Sequence, residues 1–354
     1  MSLQRSMSLH KRIVLDFDDT LAFTSNRDWD NAKPNVPLIK KCNDLYNQGW
    51  TIDIYTARGS ISCRSREEAA VKYGPQIESW LEKNNVKYHA LSFNKPLAAY
   101  YIDDKGITPE DFVEADIREL EGGLSGSDIY TDGKFVHKTA KNAHEAALWY
   151  EKTGWAVCTP EIHRVVGDTI TMDYIENDPK FFEENPYIAM ALIQEALDAF
   201  SEMPTETKFL TFDDYIARIV NHCTNANLEP FNDVVEKLSA IELEYGYCHG
   251  DFGIKNMLFN DTDSMYLIDP IPNVFGCREL DIAKFIASLI INRYDSHVQD
   301  LVINTMLAYN HWIDKYELLT LTAAEVIRVY KYHPDKDFII QCVNDLLDII
   351  DYAE

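Results

Sequence analysis

Asp16-Phe17-Asp18-Asp19-Thr20 closes the short apolar run that begins at Ile13. Side chains two apart on a strand project to the same side, so Asp16 and Asp18 bring two carboxylates together where such a strand ends. Carboxylates that close need a cation or a shared proton between them. An isolated Asp-x-Asp is more often an exposed acidic turn, but three further features favour chemistry here. Thr56 follows the apolar run Ile52 to Tyr55, Lys95 stands before Pro96 and another apolar run, and that run ends in Asp103-Asp104. One carboxylate as nucleophile and a second as acid and base would act on a phosphoryl group held by a hydroxyl and an ammonium. With a distant carboxylate completing a Mg2+ site, the set makes a phosphoryl-transfer centre.

A second constellation lies far downstream. In His249-Gly250-Asp251-Phe252-Gly253-Ile254-Lys255-Asn256 the Asp and Asn have the spacing of a kinase catalytic loop, where Asp receives the hydroxyl proton and Asn binds metal. Asp269 closes the predicted strand Met265 to Ile268 and supplies a carboxylate for Mg2+, with Asp281 beyond it. Upstream, Lys138 and Glu145 match the strand Lys and helix Glu that position ATP phosphates. Gly122, Gly123, Ser125 and Gly126 let backbone N–H groups approach phosphate, although a flexible linker has the same composition. Met172 to Ile175, with Tyr174 between them, is the expected hinge against an adenine edge.

The elements that must carry these residues differ between the two halves. From Lys11 to Phe112 strand and helix alternate: a strand to Phe17, a helix from Pro37 to Asn47, and a strand from Trp50 to Tyr55. A helix first turn follows at Ile77, Trp80 and Leu81 just after Pro75, then strands at Val86 to Leu91 and Ala98 to Ile102. This predicts an α/β, doubly wound parallel sheet with ligands at the carboxyl ends of its strands. Glu110 to Glu121 reads as a linking helix. Then come a hairpin around Asp132-Gly133, a helix from Ala143 to Lys152 and a second hairpin around Gly167-Asp168. From Pro179 the chain is mainly helical, with apolar faces such as Ile339, Val343, Leu346 and Ile350. The predicted domains are 1–116 and 117–354, the second divided into lobes of about 117–175 and 176–354.

In its four motifs the first domain resembles the haloacid dehalogenase (HAD) superfamily of phosphatases. The resemblance implies a HAD-like fold with Asp16 as nucleophile and Asp18 as acid and base. It also implies Thr56 and Lys95 on the phosphoryl group, and Asp16, Asp18, Asp103 and Asp104 around Mg2+. The short gaps from Thr20 to Thr56 and from Thr56 to Lys95 imply a minimal cap and an open site. Arg58, Arg64 and Arg66, just after Thr56, are candidate contacts for an anion. The second domain resembles the aminoglycoside phosphotransferase and choline kinase group, a bilobal protein-kinase-like α+β fold. That implies Asp251 as catalytic base, Asn256 and Asp269 as Mg2+ ligands, and Lys138 on the phosphates of ATP. Asp281 is then a structural buttress and His249 a residue that holds the loop.

Composition bounds these readings. The chain has 354 residues, 46% hydrophobic and 26% charged, a length suited to two packed domains. Its formal charge is -25, and it is unevenly placed: residues 1–120 hold 16 basic and 18 acidic side chains, residues 121–354 hold 17 and 40. Such a surface disfavours nucleic acid and anionic membrane, and in the second domain it favours a cationic or neutral acceptor. The 7 cysteines have no metal or disulfide spacing, and the apolar stretch Phe285 to Ile291 is too short for a bilayer, so a cytoplasmic protein is expected. Met7 is an alternative first residue.

The expected function is bifunctional small-molecule phosphoryl transfer. One site is a Mg2+-dependent phosphatase working through an aspartyl-phosphate. The other is an ATP-dependent kinase of a small hydroxylated metabolite such as a sugar, amino sugar or amino alcohol, in surface polysaccharide metabolism. The alternatives are a kinase with a non-catalytic HAD-like sensor, and a binding scaffold.

Overall fold

The structure, a computed structural model, describes residues 11–24, 29, 31–98, 106–120, 128–204, 211–226, 228–260, 264–271 and 276–353. The chain divides into two compact units, Met1–Asp116 and Ile117–Glu354.

Unit 1 contains β1 (Arg12–Asp16), the short pair β2 (Ala22–Phe23) and β3 (Lys33–Pro34), α1 (Val36–Asn47), β4 (Thr51–Tyr55), α2 (Arg66–Lys83), β5 (Ala90–Ser92) and α3 (Pro109–Glu114). Among the described residues its sheet has three parallel strands in the order β1-β4-β5, in register at Asp16, Tyr55 and Ser92. The central strand β4 buries Ile52, Asp53 and Ile54 in succession, as expected of a strand covered on both faces. Asp53 is compatible with that burial because Arg12 pairs with it at 2.7 Å. The further strand expected at Ala98 to Ile102 falls mostly outside the described residues.

Two expectations are corrected here. Pro75 does not open a helix: α2 starts at Arg66, where the Ser65 hydroxyl accepts the Glu68 N–H at 3.2 Å and Glu67 and Glu68 occupy the first turn. The proline is tolerated in mid-helix because the turn it disrupts, at Val71, faces solvent, which can hydrogen-bond the freed carbonyl. The linking helix is also shorter than expected. Thr108 caps Pro109–Glu114, and the chain then extends into a strand at Arg118–Glu119.

Unit 2 opens on a five-stranded antiparallel sheet in the order β6-β7-β8-β10-β9, formed by β6 (Arg118–Glu119), β7 (Asp128–Thr131), β8 (Phe135–Thr139), β9 (Ile162–Val166) and β10 (Thr169–Asp173). Gly133, at φ 93°, takes the left-handed position that the tight β7–β8 turn requires. The helix α4 (Ala143–Thr153) connects β8 to β9. Next come α5 (Phe181–Glu184), α6 (Pro186–Glu202), α7 (Phe212–Ala226) and α8 (Glu229–Leu238). A 3-10 turn at Ile254–Asn256 leads into the hairpin β11 (Met257–Phe259) and β12 (Met265–Leu267). The unit ends with α9 (Arg278–Ile291), α10 (Ser296–Tyr309), α11 (Lys315–Val329) and α12 (Lys336–Ala353). Every residue from Leu318 to Ile327 of α11 and from Leu280 to Ala287 of α9 is buried, so these are core helices apolar nearly all round. Among the described residues no helix is long and apolar enough to cross a membrane, and the six described cysteines are free thiols.

Candidate active sites

In unit 2 the loop that opens at His249 is built on buried backbone contacts. The N–H groups of His249 and Gly250 donate to the Asp281 carboxylate at 2.7 and 3.1 Å, and His249 Nδ1 accepts the Asp251 N–H at 3.3 Å. Trp149 closes the loop from α4, its indole N–H donating to the Cys248 carbonyl at 3.1 Å. Asp281 and His249 therefore hold backbone. Burial pushes the Asp281 carboxyl up to about 7 against the pull of Lys284 and the two N–H donors. Burial also pushes His249 down to about 4, from an ordinary value of 6.5.

The His249 shift has a sign that can be tested. The unfolded imidazole binds a proton near 6.5 while the folded one stays neutral down to about 4. Stability is therefore lost as pH falls through that window, by about 3 kcal/mol at its lower end. Asp281, raised to about 7, contributes in the opposite sense over the same range, so the His249 effect is read as a difference: in urea unfolding at about pH 7 and about pH 5, wild type should lose stability relative to His249→Gln as pH falls.

Asp251 lies at the end of this loop. Asn256 Nδ2 donates to its backbone carbonyl at 2.8 Å and to its Oδ2 at 2.9 Å. Burial works to raise the Asp251 carboxyl, and the charges of Lys284 and Arg328 overcome it and hold the group below the usual carboxylate value. Arg328 Nη2 stands 3.2 Å from Asp251 Oδ1, and Lys284 Nζ stands 3.9 Å from it while hydrogen-bonding the Gly250 carbonyl. Neither cation was among the sequence candidates for the site. Arg328 and Glu325 are charged residues three apart in Leu318–Val329, a stretch of α11 that is otherwise uncharged, and that anomaly is the signal the sequence offered.

Asp269 follows β12 in the left-handed region at φ 60°, its N–H donating to the Tyr150 hydroxyl at 3.0 Å. The β11–β12 ladder pairs Met257 with Leu267, and the Ile268 N–H continues it to the Asn256 carbonyl at 3.0 Å. Asn256 and Asp269 thus emerge at the same end of one hairpin. Lys138 on β8 forms an ion pair with Asp269.

That pairing corrects one expectation. Glu145 is not the partner of Lys138 among the described residues. The buried stripe of α4 is Ala143, Ala146, Trp149, Tyr150 and Thr153, and Glu145 falls off it onto the exposed side. The expected hinge also shifts. Met172 lies within β10, paired to Val136 and Ile162, and the Tyr174 N–H donates to the Lys134 carbonyl at 3.0 Å. Met172 therefore lies inside the paired strand, and the rest of the expected hinge, through Ile175, lies at its end. Ser125 and Gly126 lie outside the described residues, between the paired strands β6 and β7.

In unit 1, Asp16 ends β1 and a tight turn follows, with Asp19 at φ 57° and the Leu21 N–H donating to the Phe17 carbonyl at 3.1 Å. Lys95 Nζ is 2.6 Å from Asp16 Oδ2, and the Thr56 hydroxyl donates to Asp18 Oδ2 at 3.1 Å. Four expected residues therefore converge at the carboxyl end of the parallel sheet, as two adjoining pairs. Asp103 and Asp104 lie outside the described residues. The arginines divide in role. Arg58 ion-pairs with Asp18 and stacks over Trp29 with its guanidinium carbon 3.8 Å from the ring centre. Arg66 is committed to the backbone, donating to the carbonyls of Thr56 (3.0 Å), Arg58 (3.3 Å) and Phe93, so it braces the loop. Arg64 is exposed.

No protein-family profile matches the sequence, and no curated protein matches it. Solved structures do. A choline/ethanolamine kinase family protein from Mesorhizobium loti superposes with TM-score 0.50 at 16% identity, covering 65% of this chain and 87% of its own. A thermostable mutant of the aminoglycoside phosphotransferase APH(4)-Ia, in ternary complex with AMP-PNP and hygromycin B, gives TM-score 0.52 at 12% identity, covering 68% of this chain and 96% of its own. The fold follows from these superpositions. About 65% of the chain has a kinase-like fold. A target protein from Vibrio cholerae is 28% identical over 30% of this chain and 89% of its own, with TM-score 0.27.

The kinase-like unit can be tested for a metal. Among the described residues no group of three or more His, Cys, Asp or Glu side chains is arranged to hold one. Asn256 uses its amide nitrogen for both of its side-chain bonds, because both partners are acceptors, and its carboxamide oxygen remains for a cation. One carboxylate and one carboxamide oxygen suit Mg2+, which keeps waters and takes further ligands from substrate phosphates.

Proposed function

We propose that the kinase-like unit transfers the γ-phosphoryl group of ATP to a hydroxyl of a small molecule. The observation that carries the reading is the placement of Asp251, with Asn256 and Asp269 at one hairpin end and Lys138 beside them. Asp251 accepts the acceptor hydroxyl's proton as the new O–P bond forms and the β–γ bridging bond breaks, its electron pair leaving with ADP. Lys138 leaves Asp269 for the phosphates when ATP binds. Asn256 and Asp269 would hold Mg2+, which would offset the charge of the phosphates. The loop and its Asp281 and His249 braces keep the base in place. The neighbour that binds AMP-PNP and hygromycin B supports ATP as donor and a polyhydroxylated, amino-bearing acceptor. The acidity of residues 121–354 favours a cationic or neutral acceptor over an anionic one. A panel of aminoglycosides, amino alcohols, sugars and sugar phosphates, read by mass spectrometry for an added phosphoryl group, tests this. A polyanion as best acceptor would contradict the charge argument.

A second reading concerns unit 1, and the paired contacts of Asp16 with Lys95 and Asp18 with Thr56 favour it. There Asp16 would attack a phosphate ester to give an aspartyl-phosphate, Asp18 would protonate the leaving oxygen, and Thr56 and Lys95 would hold the phosphoryl oxygens. Asp16, the Asp18 carbonyl and the acids at 103 and 104 would hold Mg2+. With both sites active the chain would remove a phosphate at one and add one at the other, in remodelling of small metabolites such as the sugars of surface polysaccharides.

A further inference from the structure

We propose that Arg328 of α11 is a catalytic residue of the kinase-like unit, its guanidinium bonding the phosphoryl group in transit between ATP and acceptor. The inference rests on the phosphotransferase reading and adds to it a group supplied from outside the catalytic loop. In such a transfer the charge spreads over three equatorial oxygens, and a fixed cation on the acceptor side stabilises it. Lys138 stands on β8 at Asp269, the nucleotide side. On the acceptor side the described residues offer two cations at the base.

Lys284 is a brace: its side chain is 11% exposed, its ammonium bonds the Gly250 carbonyl, and it stands 3.9 Å from Asp251. Arg328 is 31% exposed and closer, with Nη2 3.2 Å from Asp251 Oδ1. The acceptor oxygen must lie within a hydrogen bond of the Asp251 carboxylate, and the phosphorus lies one bond beyond it, so a guanidinium already on that carboxylate is within reach. Neither Asp251 nor Glu325 engages Nη1, which leaves N–H donors for a phosphoryl oxygen. Lys255, the loop's own cation, is exposed and contacts none of these groups.

The position of Arg328 is prepared by a buried carboxylate. Glu325, 2% exposed, pairs with Arg328 Nε at 3.1 Å, while its other oxygen accepts a hydrogen bond from the Tyr215 hydroxyl at 2.9 Å. A carboxylate sunk into an apolar helix is costly unless paired; here Tyr215 fixes one oxygen, and the other faces Arg328 at 3.1 Å and Lys284 at 3.8 Å. During transfer the acceptor's proton goes to Asp251, the bridging oxygen leaves with its electron pair on ADP, and Arg328 donates to an equatorial oxygen without exchanging a proton.

The test is steady-state kinetics of the full chain carrying Arg328→Ala or Arg328→Lys, with thermal unfolding as the folding control. Arg328→Ala should lower kcat by about 10³-fold and leave KM for ATP within about twofold. Millimolar guanidinium should restore at least about tenfold of the lost rate and leave the wild type unchanged. Arg328→Lys, which keeps the fold if Ala does not, should remain as slow, because one ammonium cannot engage Glu325 and a phosphoryl oxygen together. A kcat within about tenfold of wild type in either folded variant, or absence of rescue in folded Arg328→Ala, would overturn the proposal. Wild-type chain that phosphorylates no acceptor refutes the phosphotransferase reading instead, so the two failures are distinguishable.

Discussion

Asp251→Asn should lower kcat for ATP-dependent transfer by about 10² to 10⁴-fold while ATP still binds. The substitution keeps the shape of the side chain and removes only its ability to take the acceptor's proton. ATP affinity should survive because Lys138, Asp269 and Asn256 are untouched. Asn at 251 also leaves Glu325 as the one carboxylate facing Arg328 and Lys284 among the described residues, so the variant should lose some stability. Unfolding in urea separates that loss from the catalytic one. Full kinase activity in a folded Asp251→Asn chain would remove Asp251 as the base.

Asp16→Asn should abolish Mg2+-dependent release of phosphate from small phosphate esters and leave ATP turnover by the kinase-like unit unchanged. A carboxamide cannot form the aspartyl-phosphate, and it withdraws the charge that Lys95 meets at 2.6 Å. A phosphate-release assay with each variant, run beside the ATP assay, gives a two-by-two comparison with Asp251→Asn. Equal loss of both activities in either variant would refute two independent sites.

Much of this was legible because it depends on local spacing. Asp16 and Thr56 each follow an apolar run and Lys95 precedes another, and strands of a parallel sheet end on the same edge, so their meeting could be read before the contacts were seen. The support of the catalytic loop by Asp281 was likewise readable from its motif. What escaped depends on helix phase and on distant pairing. Glu145 has the right residue type on the right helix, yet it sits off the buried stripe that Ala146, Trp149 and Tyr150 define. β6 is two residues long and exists through its pairing with β7, which a stretch rich in Asp and Glu conceals. Pro75 looked like a helix start because local rules place proline there, and the stronger cap at Ser65 set the boundary instead. Arg328 lies 77 residues from Asp251, and no spacing rule joins them. Only the burial of Glu325 beside it shows that α11 carries more than core.

The central claim, transfer of the γ-phosphoryl group to a small hydroxyl acceptor, is tested most directly by ³¹P NMR of the full chain with ATP, Mg2+ and a mixture of aminoglycosides and amino alcohols. The account predicts that ADP and a new phosphate-ester resonance appear together in equal amounts, and that both vanish with Asp251→Asn. ATP that stays intact, or ADP that appears with inorganic phosphate alone, would contradict it.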